Sequence, residues 1–268
     1  MALLESKSKD GAHTLVYDDR PRARNRYRLD GEPVVGTTTF LKAAYPTPEA
    51  LISWRSGKAA EYTWDKLASM GEVTESLREA TIKEAKQAWR KDAQDAAGIG
   101  TIVHEYAELS SLGKHEDSVK LLSKHEGTEF WNEILNAVQK VDEFLAQTKD
   151  EILLTEAMVA SPKHGYAGRF DRLVKRDGKV IISDFKTSKA FYLEQFIQDA
   201  AYSIAIKEWL DIDVTGFEVI RFGKQGGTFE QLLISEPSEI EELKAAAIRC
   251  KAVYDSIRRW EQDERFKR

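Results

Sequence analysis

Two short runs of this 268-residue chain hold the side chains best suited to hydrolytic chemistry. They are Gly168-Arg169-Phe170-Asp171-Arg172-Leu173-Val174 and Lys179-Val180-Ile181-Ile182-Ser183-Asp184-Phe185-Lys186-Thr187, with Asp177-Gly178 between them. Asp-Gly suits a two-residue type I′ turn, whose central residues both need φ > 0. Such a turn sets Arg176 opposite Lys179, and counting outward places Asp171 opposite Asp184. Their Cβ atoms then lie roughly 5 Å apart on one face. Lys186 shares that face with Asp184, because strand side chains repeat with period two. Facing carboxylates destabilise a hairpin unless something neutralises them, and a divalent cation does so directly.

Carboxylate oxygens are hard ligands suited to Mg2+ or Mn2+, ions that polarise a phosphoryl oxygen and make hydroxide available near neutral pH. The main-chain carbonyl of Phe185 offers another oxygen. Lys186 is placed to orient or deprotonate the attacking water, or to offset charge in the transition state. The expected reaction is metal-assisted phosphodiester hydrolysis. Glu156, a charge inside the apolar run Ile152 to Ala160, either faces solvent or joins the acidic cluster, since an unpaired buried carboxylate is costly.

The elements that must position these groups read as follows. Residues 14 to 40 suggest short strands: Thr14–Tyr17, Arg26–Leu29, an Asp30-Gly31 turn, then Pro33 to Phe40, with a helix starting near Phe40. Thr37 to Thr39 offer hydroxyls either to phosphates or to cap that helix. Arg20 to Arg28 carries five arginines in nine residues, a phosphate-contacting arm or a charged edge strand. From Thr47 to about Thr148 the pattern is helical, with breaks expected at Gly57, Gly71, Gly98, Gly100, Gly113 and Gly127. Trp54, Trp64, Trp89 and Trp131 are expected to pack between those helices rather than to stack on bases.

Gly98-Ile99-Gly100 precedes a helix whose first turns hold His104, between Val103 and Ala107 on the core side. This makes His104 a candidate third ligand, although a histidine so placed is more often a hydrogen-bonded structural residue. His13, His115, His125 and His164 lie in polar or loop-like contexts without comparable support. Beyond the hairpin, Phe191 to Ile206 forms an amphipathic helix on which Gln198 and Tyr202, four apart, share a face. That helix begins a few residues after Lys186 and must pack back near the hairpin. Strands at Gly216–Phe222 and Phe229–Ile234 follow, joined through Gly223-Lys224-Gln225-Gly226-Gly227, and then a helix from Pro237 to Trp260.

The composition, 42% hydrophobic and 32% charged, is that of an ordinary globular chain. A net charge of −5 excludes a generally cationic surface, so contact with nucleic acid must use local basic patches. The single cysteine, Cys250, rules out an internal disulfide and a thiolate-held cluster. No segment nears the roughly 20 apolar residues that cross a bilayer. The expectation is a cytoplasmic protein with no membrane partner, or one of the host-cell cytoplasm if the chain is phage-encoded. One domain is expected over 1–268: strands and basic arm to about 45, a helical block at 46–150 carrying His104, sheet and helix at 151–235, and a final helix at 236–268.

The motifs together resemble the PD-(D/E)XK nucleases, and within them the RecB-type exonuclease branch. That branch carries Gly-x-x-x-His, Gly-x-x-Asp, Asp-x-Lys-Thr and Gln-x-x-x-Tyr, and the matching residues here are Gly100 with His104, Gly168 with Asp171, Asp184-Phe185-Lys186-Thr187, and Gln198 with Tyr202. The resemblance covers about residues 98 to 206. More loosely, Asp30-Gly31 through Thr37–Thr39 to Leu51-Ile52-Ser53-Trp54 is similar to the opening of phage-encoded and mitochondrial genome-maintenance exonucleases. It implies a restriction-endonuclease-like α/β core, a mixed central sheet flanked by helices, with an N-terminal helical elaboration that guides single-stranded DNA. Mg2+ or Mn2+ would be held by His104, Asp171, Asp184 and the Phe185 carbonyl, with Lys186 catalytic and Gln198 and Tyr202 supporting. The four cysteines that hold an iron–sulfur cluster in some relatives are missing, so no cluster is expected. The implied activity is a DNA exonuclease of replication, recombination or repair, acting on single strands or duplex ends, with a recombination or replication protein as partner. Two alternatives are a non-catalytic nucleic-acid-binding or partner-docking module on the same fold and a defence endonuclease.

Overall fold

The computed structural model describes residues 3–20, 26–45, 49–69, 74–224 and 226–266. Pro21 to Asn25 of the arginine-rich arm, Gly71 and Gln225 lie outside them. In chain order the elements are β1 (Leu3–Lys7), β2 (Thr14–Asp18), β3 (Tyr27–Leu29), β4 (Glu32–Gly36), α1 (Thr37–Ala44), α2 (Glu49–Ala68), α3 (Glu75–Ala85), α4 (Ala88–Ser111), α5 (His115–Ser123) and α6 (Trp131–Gln147). They continue with β5 (Glu151–Ser161), β6 (Tyr166–Arg176), β7 (Lys179–Lys186), α7 (Leu193–Leu210), β8 (Gly216–Arg221), β9 (Glu230–Ile234) and α8 (Pro237–Glu261). Two compact units result, Met1–Tyr45 with Val103–Arg268, and Pro46–Ile102. The first holds the sheet, and the second holds α2, α3 and the first part of α4.

The strands form a mixed sheet in the order β1-β2-β3-β4-β6-β7-β8-β9, with β5 pairing β6 off this path. This is the expected α/β class. Asp177 and Gly178 take φ of 50° and 78°, and the ladder runs from Arg176 opposite Lys179 to Arg172 opposite Ser183, the register the Asp-Gly turn predicts. β7 and β8 are parallel, so the chain needs a crossover, and α7 supplies it. Along one edge, β6 changes partner. Tyr166 and Ala167 pair in parallel with Val35 and Gly36 of β4, whereas pairing with β7 begins at Arg172. Between these stretches Gly168 to Asp171 has neither neighbour in its ladder, and a split of this kind opens the crevice in which α/β sheets commonly bind ligands.

Helices cover both faces of the sheet. On α7, Phe196, Ala200, Tyr202 and Trp209 are buried with Phe170, Ile182 and Val219 of the strands. Opposite them, Phe144 of α6 meets Phe185 and Phe222 edge-on, with ring centroids 6.1 and 6.0 Å away. β1, which its short and partly polar sequence does not announce, is anchored by the fully buried Trp209, whose indole N–H donates to Ser6 Oγ at 3.0 Å.

Several local expectations need correction. Gly57, Gly98 and Gly100 lie inside helices, and α4 runs unbroken for 24 residues with His104 well within it rather than in its first turns. A helical glycine costs only about 1 kcal/mol relative to alanine, too little to end a helix that long. Gly113 and Gly127, at φ of 68° and 76°, do stand at breaks. The strand expected to reach Phe40 stops at Gly36, and α1 already includes Thr37 to Thr39. No side chain caps α1; Thr37 Oγ1 instead donates to the Ala167 carbonyl at 3.1 Å, tying α1 to β6. Trp64 is 75% exposed and does not pack between helices, while Trp54, Trp89 and Trp131 are partly buried.

Candidate active site

Asp171 lies in the gap where β6 changes partner, one step beyond the last β6–β7 pair and therefore beside Asp184. Its Oδ2 accepts the Phe185 backbone N–H at 2.8 Å and lies 3.3 Å from His104 Nδ1. Asp184 is 3% exposed, and its Oδ2 forms an ion pair with Lys186 Nζ. The structure thus brings His104, Asp171, Asp184 and Lys186 together within one compact unit. Val103 and Ala107, flanking His104 in sequence, are fully buried and fix the helix that presents it.

Electrostatics separates the two carboxylates. Burial pushes the Asp171 carboxyl up, but His104, Lys186 and the Phe185 N–H outweigh it and hold the group well below the usual range. Burial, reinforced by the field of Asp171 and opposed by Lys186, moves Asp184 up to about 6. For His104, burial works against the charged imidazole, yet Asp171 overcomes it and the pKa is raised. Burial likewise disfavours the Lys186 ammonium, and the charges of Asp184 and Asp171 more than restore it.

Gly168, Gln198 and Tyr202 form a second tier. A Cβ on residue 168 would stand 2.4 Å from Tyr202 Cε1 and 2.8 Å from Thr37 Oγ1, so only glycine lets α7 and α1 approach β6 this closely. Gln198 Nε2 donates to the Tyr202 hydroxyl at 2.7 Å, and Tyr202 is buried. This joins the two residues whose spacing placed them on one face. Tyr192, just before α7, has its N–H capped by Gln195 Oε1 at 2.9 Å, and this fixes where the helix starts after Lys186.

Glu156 sits at φ 47°, a left-handed conformation unusual in mid-strand and found where local strain is retained. Its Oε2 lies 2.7 Å from Arg169 Nε, and burial, then the field of Asp171, moves its carboxyl up to about 7. It therefore lies within the field of the cluster, but its ion pair is with Arg169.

Sequence reading passed over two further groups. Asp199, next to Gln198 on α7, is fully buried, and neither oxygen has a hydrogen-bond partner among the described residues. The fields of Asp184, Lys186 and Asp171 all reach it, and burial raises its carboxyl far above the ordinary range. Its position within a helical run that buries Phe196, Ile197, Ala200 and Ala201 was the available signal, because a charge among buried apolar residues needs an explanation. The second group is an ion network behind β7. Arg172, 1% exposed, donates to Asp150 Oδ2 at 2.8 Å and Ser183 Oγ at 3.1 Å, with its guanidinium 4.8 Å from the Phe185 ring centroid. Arg176 bridges Asp150 and Glu218, at 2.9 and 2.6 Å. These contacts clamp β6, β7 and β8 behind the acidic face.

The donor set suits a hard divalent cation in kind. Three acidic groups, Asp171, Asp184 and Asp199, bear on the Lys186 ammonium, the first two also on the His104 imidazole, and the oxygens of Asp199 have no hydrogen-bond partner among the described residues. In this arrangement, no three His, Cys, Asp or Glu side chains among the described residues are already grouped as a metal site. Asp184 is occupied by Lys186, and Asp171 by His104 and the Phe185 N–H. No helix among the described residues is long and apolar enough to cross a membrane.

No family model matches the chain. No curated protein matches it. Among solved structures, the protein SSO0001 is similar at 15% identity and a TM-score of 0.31, over 61% of this chain and 74% of that one. An alkaline exonuclease from Laribacter hongkongensis is similar at 11% identity and a TM-score of 0.33, over 84% of this chain and 92% of that one.

Proposed function

We propose that the chain is a Mg2+- or Mn2+-dependent deoxyribonuclease of the PD-(D/E)XK type, an exonuclease acting on DNA ends in replication, recombination or repair. The observation that carries this reading is the meeting of His104, Asp171, Asp184 and Lys186 where β6 changes partner. His104, Asp171, Asp184 and the Phe185 carbonyl would hold the cation, with Glu156 at the margin. A divalent ion held there would supply Lewis-acid polarisation of the scissile phosphate and of the attacking water.

The protein's own groups do the rest. Lys186, kept cationic by the surrounding carboxylates, orients the attacking water and offsets charge on the phosphoryl oxygens. Asp171 holds His104 in a single orientation while the Phe185 N–H holds Asp171. Gln198 and Tyr202 brace the wall against which the reacting strand lies.

The test is incubation with end-labelled single-stranded, duplex and circular DNA in Mg2+, Mn2+ or EDTA. Metal-dependent loss of linear but not circular DNA supports the exonuclease, and cleavage of circles makes the protein an endonuclease. If nothing is cut and Asp184→Ala binds DNA as the parent does, the fold serves as a binding module.

A further inference from the structure

A fully buried carboxyl group with no hydrogen-bond partner among the described residues is unfavourable in isolation, so Asp199 needs a role. It stands on the crossover helix between the strand carrying Asp184 and Lys186 and the strand beside it. Its charged surroundings are Lys186, Asp184 and Asp171, and the only cation among these is Lys186. That ammonium is engaged with Asp184, one of the groups proposed above to hold a divalent ion. The two engagements compete. A carboxylate oxygen in contact with an ammonium cannot also face a divalent cation without bringing like charges together in a buried site. For Asp184 to turn Oδ2 to a metal, Lys186 needs another counter-charge inside the protein.

We propose that Asp199 is this second counter-ion, a positioning residue that receives the Lys186 ammonium when Asp184 engages a divalent cation. No bond to carbon or phosphorus forms or breaks in the exchange; the Lys186–Asp184 pair gives way to a Lys186–Asp199 pair, and the Asp199 carboxyl releases its proton to solvent as the ammonium arrives. The idea rests on the metal-dependent reading of the site. It makes Asp199 a determinant of metal affinity that acts through Lys186 and not as a ligand. It also gives Lys186 a defined anchor on α7, on the side of the site away from the Phe185 ring.

Calorimetric titration of the full chain with Mn2+, without DNA, tests the exchange. Asp199→Asn is expected to weaken Mn2+ binding roughly tenfold or more, as losses of supporting partners around metal sites do. Lys186→Met removes the competitor, so it binds at least as tightly as the parent, and adding Asp199→Asn to it changes nothing further. Asp199→Asn melts, metal-free, at or above the parent temperature, because it replaces a buried carboxyl group that has no partner among the described residues; Asp199→Ser serves as a second variant. Unchanged Mn2+ affinity in Asp199→Asn overturns the proposal, as does a loss that persists in the Lys186→Met background, which would make Asp199 a ligand. A lower melting temperature in both Asp199 variants also overturns it, by giving the carboxylate a structural partner. If the parent binds no Mn2+ that Asp184→Asn abolishes, the metal-dependent reading itself fails and the exchange fails with it; normal parent binding with an indifferent Asp199 sinks only the exchange.

Discussion

Gly168 and Tyr202 stand so close that a methyl group on residue 168 would come within 2.4 Å of Tyr202 Cε1. The glycine of the Gly-x-x-Asp run is therefore a packing requirement of α7 against β6, and the Tyr202 held by that contact accepts from Gln198 Nε2. Gly168→Ala is expected to destabilise the fold by about 1–3 kcal/mol, as overpacking does, and, on the proposed nuclease reading, to lower DNA cleavage more than DNA binding. Urea denaturation and a cleavage assay on the same sample measure both; an alanine variant as stable and active as the parent contradicts the contact.

Asp150 is the hub of the ion network behind β7, its side chain 4% exposed and shared by Arg172 and Arg176. Asp150→Ala leaves two arginines without their carboxylate, one of them buried. A loss of about 3–5 kcal/mol follows from removing one partner of a buried ion group. Denaturant unfolding reads it directly, and a loss below 1 kcal/mol would mean that water or Glu218 compensates.

Lys186→Met removes the ammonium that the reading assigns to water orientation and charge offset. Cleavage should fall by about 100-fold or more, the usual scale for a lost acid–base or charge-stabilising group, while affinity for uncleaved DNA in Ca2+ stays within a few-fold of the parent. Single-turnover kinetics with a filter-binding control separates the two effects.

Glu156 carries a pH signature. Its folded-state pKa, about 7, lies above its ordinary value of 4.5, because burial and Asp171 disfavour the anion. The folded state therefore holds this proton more tightly than the unfolded chain does. That stabilisation is fully present below about pH 4.5, declines as pH rises to about 7 and is gone above it. Glu156→Gln lacks the titration, so the parent should lose on the order of 2 kcal/mol relative to the variant across that window. Parallel melts from pH 4.5 to 8 check it; curves that stay a constant distance apart would contradict the shift.

Trp64, 75% exposed on α2, is available for stacking. Trp64→Ala should leave stability within about 0.5 kcal/mol and weaken binding to single-stranded DNA by about 1–3 kcal/mol if a base rests on it. Tryptophan fluorescence on titration with a short oligonucleotide distinguishes this from an idle surface residue.

The hairpin was legible in the sequence because its rules are local. A two-residue Asp-Gly turn and a side-chain period of two suffice to face Asp171 toward Asp184 and to set Lys186 beside them, and the ladder follows that register. The order of later strands and helices was readable from hydrophobic pattern and glycine punctuation, whereas glycines inside α2 and α4 misled because propensity alone does not break a helix that tertiary packing supports. Tertiary structure alone decided the rest. It set His104 3.3 Å from Asp171, buried Asp199 beside the cluster without a donor among the described residues, and closed Asp150 onto Arg172 behind it. Those meetings depend on how a crossover helix and a split sheet pack, and contacts between residues distant in the chain leave no periodic trace in the sequence that makes them.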